Sequence, residues 1–435
     1  MIKLLEGMRV VEVSSFMMGP IAGRILADWG AEVIKIEPAV KVTMNPSTSD
    51  GDRIRGCGMA RGIMNGDPCC WLFMNGNKKS VALDTTKPKG LKACRDLCLS
   101  ADVVISHLRE RDAKKLGLDY KSLSAEKPGI IVASTSGYGI KGADAARGGF
   151  DAVAYAARSG ILAGQTNDGA PFIPFFGFGD VVSGTYLATA ILAAYVNKQK
   201  TGKGERVTTS LYGSAVWTAG VPVMTAPYGD PYPTPRETMF PTCKPFKCAD
   251  GKYVYLMGQT WEVVIADLCK IMDLPADAQK RWPHYFDASA NKVEISKLLD
   301  EQFAQHDRDY WLKKLATTNI PYDVVADFSD IQKDAQAWDA GFLMKEPVEG
   351  YETGIPTAPG QFENAGEPEL TMNYPGQDTV AEFKRIGYSD EQIQALLDGG
   401  YATQYDEAVY QPDRFNIMKP GTVYNRVFAA AAGKK

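Results

Sequence analysis

Residues 9–37, RVVEVSSFMMGPIAGRILADWGAEVIKIE, decide the fold. The apolar run at residues 9–13 predicts a buried strand, and residues 14–20 predict a loop that ends at a Gly-Pro pair. The spacing of apolar side chains in residues 21–29 predicts a helix, and residues 31–37 predict a second strand. Two strands joined by a helix form a β-α-β unit, so the sequence favours a parallel sheet.

The same alternation continues through the first half of the chain. Further strands are predicted at residues 80–83, 102–106, 129–134 and 206–211, with helices at residues 87–100 and 180–198. Strands that alternate with helices over two hundred residues are typical of a doubly wound α/β domain, which we assign to residues 1–220.

The character of the sequence changes after residue 220. Residues 221–240 are rich in Pro and turn residues and read as a linker. Residues 241–330 read as a smaller α+β domain, which opens with a hairpin around Asp250-Gly251, a pair typical of a type I′ turn. Ser389 is predicted to cap a helix over residues 390–397, with Gln392 in the capping-box position.

Composition excludes several classes of protein. The 435 residues include 45% hydrophobic residues, which disfavours disorder and coiled coils. The net charge of −4 argues against a nucleic-acid partner. The eight cysteines contain no CxxC pair, so we expect reduced thiols and no metal site. Only three histidines, His107, His284 and His306, could serve as a general base.

No feature of the sequence predicts export or a membrane span. The first residues lack a long apolar segment of the kind found in secretory signals. The longest apolar stretch, residues 186–196, is shorter than the roughly 20 residues that cross a bilayer. We therefore expect a cytoplasmic protein with no membrane partner.

A dinucleotide site is the first candidate chemistry, and its signature is incomplete. The first β-α turn reads Gly19-Pro-Ile-Ala-Gly23, which lacks the G-x-G-x-x-G pattern that brings backbone close to a pyrophosphate. Glu37 ends the second strand, where a ribose-binding acid would stand. A nicotinamide-dependent oxidoreductase is accordingly a weak alternative. A serine nucleophile is equally unsupported, because no G-x-S-x-G elbow occurs.

Asp180 is the strongest candidate for a reactive side chain. Two glycines precede it in Phe176-Gly-Phe-Gly-Asp180, and a long apolar helix follows. Aspartate is a favoured helix cap, which is one interpretation. The other is a carboxylate nucleophile, held ionised by the helix N-terminus and open to a bulky substrate across the glycines. Asp151, in Gly149-Phe-Asp151, is expected to cap a helix over residues 152–158.

The ordered motifs of the chain resemble class III CoA-transferases, the formyl-CoA and carnitine CoA-transferase group. The matching segments are GMRVVE at residue 7, Gly19-Pro20, ADWGAEVIKIE at residue 27, NKKS at residue 77, Leu83-Asp84, ADVV at residue 101, SGYG at residue 136, GFD at residue 149, Gly179-Asp180, TGKGE at residue 201, QAWD at residue 336 and GYS at residue 387. They cover nearly the whole chain except about its last thirty residues.

The resemblance implies a fold and a reaction. Family members have a Rossmann-like large domain built from both chain ends, so residues 331–435 would return to complete it, and two subunits interlock as a homodimer. Asp180 would be the nucleophile. Its carboxylate would attack an acyl-CoA thioester, give an aspartyl-acyl anhydride and then an aspartyl-CoA thioester, and so pass CoA to a carboxylic acid. CoA thioester is thus a substrate, and no permanent cofactor or metal is implied.

The resemblance also implies residues that bind CoA. The matching positions are Met17, Met18, Leu83, Asp84, Thr85, Thr86, His107, Leu108, Lys115, Ser136, Gly137, Tyr138 and Gly139. Pro38 replaces a basic residue of the family, and Lys41 could substitute for it. Backbone N–H groups at Gly179, Gly258 and Gln259 would stabilise the oxyanion. The family's glycine-rich loop is reduced here to Gly258.

The first loop and the segment before Asp180 are most similar to the 2-hydroxyacid branch, which acts on aryllactates or 2-hydroxyisocaproate in anaerobic amino-acid fermentation. The aromatic run at residues 172–178 is compatible with a bulky acyl group or with core packing. The related acyl-CoA racemases are an alternative, but they carry a histidine directly before the Asp151 position. Phe150 stands there in this chain.

Overall fold

The protein is described here from a computed structural model. The structure describes residues 2–39, 51–56, 69–166, 169–173, 175–345, 347 and 353–406. Lys41 and the tail beyond residue 406 lie outside the described residues.

One large sheet organises the first half of the chain. The strands are β1 Arg9–Val13, β2 Glu32–Pro38, β3 Lys79–Leu83, β4 Val103–Ser106, β5 Ile131–Ser136, β6 Arg206–Ser210, β7 Pro245–Lys247, β8 Tyr253–Leu256, β9 Tyr322–Val324, β10 Leu343–Lys345, β11 Gly354–Pro356 and β12 Ala402–Thr403. Seven of them form a sheet in the order β12-β3-β2-β1-β4-β5-β6. Neighbours from β3 to β6 pair in parallel, and only the edge strand β12 is antiparallel. The predicted parallel α/β sheet is confirmed.

Helices cover both faces of this sheet. They are α1 Met18–Asp28, α2 Cys69–Asn75, α3 Pro88–Ser100, α4 Glu110–Leu116, α5 Tyr120–Ser124, α6 Ile161–Gly164, α7 Phe178–Thr201, α8 Leu211–Thr218, α9 Gly220–Thr225, α10 Trp261–Ile271, α11 Ala278–Arg281, α12 Tyr285–Ala290, α13 Lys292–Phe303, α14 Arg308–Leu315, α15 Phe328–Ile331, α16 Ala335–Asp339, α17 Thr379–Arg385 and α18 Asp390–Asp398. A π-helix spans Asp151–Ala157. Val10 packs in a core with α1 and α7, while its neighbour Val11 packs with α3 on the other face, as alternation along a strand requires.

The chain divides into two compact units. The first comprises Met1–Leu162, Phe172–Gly220 and Ala335–Lys435, and the second comprises Ala163–Pro171 and Val221–Asp334. The large sheet belongs to the first unit, which both ends of the chain build. Arg9 and Glu382, for example, form an ion pair at 2.7 Å.

The second unit is an α+β assembly of its own. β7, β8 and β9 form an antiparallel sheet, and Trp261, Phe303 and Trp311 lie fully buried in its core. The type I′ prediction for the hairpin is wrong, because such a turn needs positive φ at both central residues. Gly251 has φ +79°, but Asp250 does not have a positive φ.

Of two further local predictions, one is corrected and one is confirmed. Helix α1 begins at Met18, so Gly19-Pro20 lies inside its first turn and does not end the loop before it. Proline is tolerated there because first-turn N–H groups have no partner within the helix. The predicted capping box of α18 is confirmed, since Ser389 Oγ accepts from the N–H of Gln392 and Gln392 Oε1 accepts from the N–H of Ser389.

Helix α7 is longer than its apolar stretch suggested. It has 24 residues, and its most apolar 18-residue window has a mean hydropathy of 1.3 with 39% of that window buried. By length and composition it could span a membrane, so the expectation that this segment is too short is wrong. Its buried residues Leu187 and Ile191 pack in the same core as α1 and the sheet, as in the core helix of an α/β domain.

Candidate active site

The residues expected to bind CoA mostly follow the carboxyl ends of parallel strands. Met17 and Met18 follow β1, Asp84, Thr85 and Thr86 follow β3, His107 and Leu108 follow β4, and Gly137, Tyr138 and Gly139 follow β5. The strand order reverses between β1 and β4, because the chain continues to β3 on one side and to β6 on the other. Ligands of doubly wound sheets bind at the carboxyl edge beside such a reversal. The edge above β1 and β4 is therefore the candidate site.

The loops after β1 and β4 lie together at this edge. Nε2 of His107 is 3.5 Å from Oγ of Ser15, and Nδ1 is 3.2 Å from the carbonyl O of Val13. Met17 and Met18 are only 3% and 7% exposed. Their side chains are thus packed inside the protein and offer little surface to a ligand.

The loop after β5 joins the same region from the other side. Its backbone touches the segment that leads to Asp151, since a Cβ on Gly137 would stand 2.7 Å from Cα of Gly149. The ring of Tyr138 lies under two guanidinium groups, at 5.0 Å from Arg147 and 5.6 Å from Arg158. These arginines add positive charge to the edge where phosphate groups of CoA are expected.

Five of the residues expected to bind CoA, residues 83–86 and Lys115, stand apart from this group. Residues 84–86 follow β3, which lies two strands from β1, and Oδ1 of Asp84 accepts a hydrogen bond from the Thr86 N–H at 3.1 Å. Leu83 is buried within β3. Lys115 is exposed on α4 and forms no ion pair with the residues that the structure describes.

Asp180 lies in the first turn of α7, but it does not cap the helix. The N-cap position is Gly177, with φ +81°, and Asp180 is the third helical residue. The capping oxygen comes from elsewhere in the chain: Oδ1 of Asp151 accepts from the N–H of Gly179 at 2.8 Å. The prediction that Asp151 caps its own helix is therefore wrong, because Phe150 occupies that N-cap position and the Asp151 carboxylate serves α7.

Close packing fixes the backbone just before Asp180. A Cβ on Gly179 would stand 2.1 Å from Cγ of Tyr155 and 2.6 Å from Oδ1 of Asp151. A Cβ on Gly177 would stand 2.6 Å from Sδ of Met17. The Tyr155 ring leaves no room for a side chain at residue 179, and the positive φ of +81° favours glycine at residue 177. These contacts attach the first loop and the π-helix to the N-terminus of α7.

The electrostatic environment of Asp180 is unusual for a surface carboxylate. The residue is partly buried, and within the described residues it has no hydrogen-bond or ion-pair partner. Burial and the neighbouring Asp151 charge raise its pKa from 3.8 to about 7. The expectation that the helix N-terminus keeps it ionised is wrong, because the Gly179 amide already donates to Asp151. Burial also raises the pKa of Asp151, although the amides of residues 177–179 counteract it.

Two of the N–H groups expected to stabilise an oxyanion have other acceptors. The Gly179 N–H donates to Asp151, and the Gly258 N–H donates to the carbonyl O of Thr242 at 2.9 Å. Gly258 follows β8 in the second unit, and the neighbouring Gln259 is exposed. Of the three residues expected to stabilise the oxyanion, Gln259 is the one with an accessible side chain that can donate hydrogen bonds.

A buried charge cluster beneath the first loop was not anticipated from the sequence. Glu12 of β1 pairs with Nζ of Lys35 at 2.8 Å and with Nζ of Lys78 at 2.7 Å, and all three residues are almost completely buried. Although burial favours the neutral acid, the two ammonium groups lower the pKa of Glu12 to about 2. Burial lowers the pKa of Lys78 to about 8 despite the pairing with Glu12.

This cluster holds both ends of the first loop. Nζ of Lys35 donates to the carbonyl O of Ser14 at 2.6 Å, and Nζ of Lys78 donates to the carbonyl O of Pro20 at 2.8 Å. The loop between them carries Met17. A charged residue inside an otherwise apolar strand, as in RVVEV, is the sequence signal that could have indicated the cluster.

Comparisons with known proteins identify the family of this chain. The family model for "CoA-transferase family III" matches residues 5–379. The (R)-2-hydroxy-4-methylpentanoate CoA-transferase of Clostridioides difficile is 33% identical over 400 residues, which cover 91% of this chain and 98% of that protein. The cinnamoyl-CoA:phenyllactate CoA-transferase of Clostridium sporogenes is 30% identical over 406 residues, which cover 90% of this chain and 96% of that protein.

A solved structure supports the fold. The crystal structure of a CAIB/BAIF family protein from Brucella suis superimposes with a TM-score of 0.72 at 24% identity, covering 89% of this chain and all of that one. The resemblance inferred from the motifs is thereby confirmed. The chain belongs to CoA-transferase family III, and it is a CoA-transferase whose substrates are CoA thioesters.

Proposed function

We propose that this enzyme moves CoA from an acyl-CoA to a 2-hydroxy acid through covalent intermediates on Asp180. The observation that carries the proposal is the carboxylate of Asp180, which is partly buried at the N-terminus of α7 and has no hydrogen-bond partner within the described chain. Each hydrogen bond to a carboxylate stabilises its anion and weakens it as a nucleophile. Asp151 takes the capping bond that would otherwise do this.

The proposed reaction transfers CoA in two half-reactions on Asp180. A carboxylate oxygen of Asp180 attacks the thioester carbonyl, and the C–S bond breaks to give an aspartyl-acyl anhydride and CoA thiolate. The thiolate attacks the aspartyl carbonyl, which gives an aspartyl-CoA thioester and releases the donor acid. The carboxylate of the acceptor then attacks the aspartyl-CoA thioester, which gives a second anhydride and CoA thiolate. The thiolate attacks the acceptor's carbonyl in this anhydride. CoA leaves on the acceptor, and the Asp180 carboxylate is regenerated.

The pKa near 7 suits this cycle. A carboxylate with a raised pKa is a stronger nucleophile than an ordinary aspartate, and near pH 7 a large fraction of Asp180 is still ionised. The burial that raises the pKa also keeps water from the anhydride, because the Tyr155 ring and the Met17 side chain pack against the preceding glycines.

The choice of acceptor rests on the relatives. The two bacterial enzymes at 33% and 30% identity are named for 2-hydroxy-4-methylpentanoate and for phenyllactate, which are both 2-hydroxy acids with apolar side chains. Racemase chemistry, by contrast, requires a histidine at position 150. The exposed ring of Phe150 stands there and cannot move a proton.

Chemical trapping tests the proposal. The enzyme would be incubated with acyl-CoA and hydroxylamine, and its peptides mapped by mass spectrometry. Asp180→Asn is the variant, and Asp398→Asn, at an exposed position of α18, is the control. We expect a hydroxamate on Asp180 in the wild type and in the control, and none in Asp180→Asn. A hydroxamate on Asp151 instead, or an unmodified Asp180 in an enzyme that turns over, would refute the mechanism.

A further inference from the structure

Two phenylalanine rings meet at the candidate site without belonging to a core. The rings of Phe16 and Phe150 are 6.2 Å apart between centroids and 81° apart in plane, an edge-to-face pair. Phe150 is 71% exposed, although it lies next to the buried Asp151. An apolar ring kept in solvent next to the aspartate that caps α7 is an unusual arrangement for a residue that only packs.

Both rings are placed by the groups that position Asp180. Phe150 directly precedes Asp151, whose carboxylate caps α7. Phe16 directly precedes Met17, whose sulfur fills the space beside Gly177 at the start of α7. The pair therefore flanks the helix N-terminus from two separate loops.

The backbone at Phe16 is strained. Its φ is +65°, a left-handed conformation that costs a non-glycine residue roughly 1–3 kcal/mol and persists where the surroundings enforce it. The surroundings do so here, because Lys35 and Lys78 hold the carbonyl groups of Ser14 and Pro20 on either side. Glycine would adopt this conformation without strain. The strain at residue 16 therefore points to a role for the phenylalanine ring that glycine could not fill.

We propose that Phe16 and Phe150 form the wall that receives the apolar side chain of the acyl group, and so select branched and aromatic acids over short ones. This inference rests on the proposed function, since it places the acyl carbonyl at Asp180. Phe178, the residue of the aromatic run 172–178 that lies nearest to Asp180 in the sequence, is less suited to the role. Phe178 packs against Tyr155 at 5.6 Å and against Phe175 at 5.2 Å, as a core residue does.

Substrate selectivity tests the proposal. The variants are Phe16→Ala and Phe150→Ala, and the control is Phe362→Ala, whose ring packs on Trp29 at the other end of α1, 5.6 Å between centroids. The readout is kcat/KM for 3-phenylpropanoyl-CoA divided by kcat/KM for acetyl-CoA, with one acceptor acid. We expect each site variant to lower this ratio about tenfold or more, as loss of an apolar contact in a pocket does, while the control stays within about twofold of wild type.

Equal losses with both donors would overturn the proposal, because the rings would then serve CoA or the fold. A second measurement separates this failure from that of the proposed function. Binding of the unreactive thioethers 3-phenylpropyl-CoA and ethyl-CoA is measured by calorimetry for the same proteins. A wild type that transfers no CoA but prefers the phenyl thioether, with the preference lost in Phe150→Ala, contradicts only the proposed function. A wild type without this preference contradicts the aromatic wall.

Discussion

Replacing Asp151 by asparagine should shift the pH dependence of the reaction to lower pH. The Asp180 carboxylate attacks as the anion, so activity is present above its pKa of about 7 and is lost as the pH falls through that value. The negative charge of Asp151 contributes to this raised pKa. Asparagine removes the charge and keeps an oxygen that can accept from the Gly179 N–H, so α7 retains its cap.

The size of the shift follows from the two causes of the raised pKa. Burial is the larger cause and the Asp151 charge the smaller, so the charge accounts for less than half of the rise from 3.8 to about 7. The midpoint should therefore fall by at most about 1.5 pH units, equivalent to about 2 kcal/mol. At pH 6 a group with a pKa of 7 is about 10% ionised, and one with a pKa of 5.5 is about 75% ionised, so relative activity there should rise severalfold.

The assay is kcat/KM for CoA transfer between pH 5 and 9, each profile scaled to its own plateau. Asp398→Asn serves as the control, because Asp398 is exposed at the end of α18 and accepts a hydrogen bond from Gln394 at 2.7 Å. A midpoint that stays at the wild-type value, or rises, in Asp151→Asn would show that the two carboxylates do not interact as described. Thermal denaturation of each variant checks that the fold is retained.

Three further predictions concern the supports of the site. Gly179→Ala should destabilise the protein by about 3 kcal/mol or more in urea denaturation, because its Cβ has no room, whereas Gly220→Ala, with nothing within 4 Å, should cost less than about 1 kcal/mol. Glu12→Gln leaves the buried ammonium group of Lys78 without its anion, while Lys35 keeps its ion pair with Asp52 at 2.8 Å. The free energy of unfolding should therefore fall by about 3–5 kcal/mol, and a smaller change by the same method would contradict the charge cluster. Lys115→Ala should raise KM for acyl-CoA about threefold with little change in kcat, while the control Lys121→Ala leaves steady-state kinetics unchanged. A KM for Lys115→Ala equal to that of the wild type would exclude Lys115 as a phosphate contact.

The parallel sheet could be predicted because its signal is local. Runs such as RVVEV at residue 9 and GIIVAS at residue 129 are short, apolar and bounded by turn residues, and each became a strand within one or two residues of its predicted bounds. Asp180 could be singled out for a similar reason, since two glycines before a carboxylate at a helix start are visible in one stretch of sequence.

Contacts between distant residues could not be predicted. The cap on α7 comes from Asp151, 28 residues before the amide it accepts from. The ion pairs of Glu12 join three segments, and only the register of β1 beside β2 shows that Lys35 stands next to that glutamate. The sequence predicts a buried strand at residues 9–13 and a second strand at residues 31–37, but it does not say which partner compensates a charge inside a buried strand.

The two aspartates illustrate why composition and spacing alone leave the nucleophile open. Asp151 and Asp180 each lie near a glycine and near the start of a helix, and either could cap or attack. The hydrogen bond from Gly179 and burial together distinguish them. Oδ1 of Asp151 accepts from that amide and Oδ2 is buried, whereas Asp180 is only partly buried. By taking the cap, Asp151 fixes the helix and adds the charge that raises the pKa of Asp180. The helix N-terminus therefore positions the nucleophile without stabilising its anion, which is the combination that attack on a thioester requires.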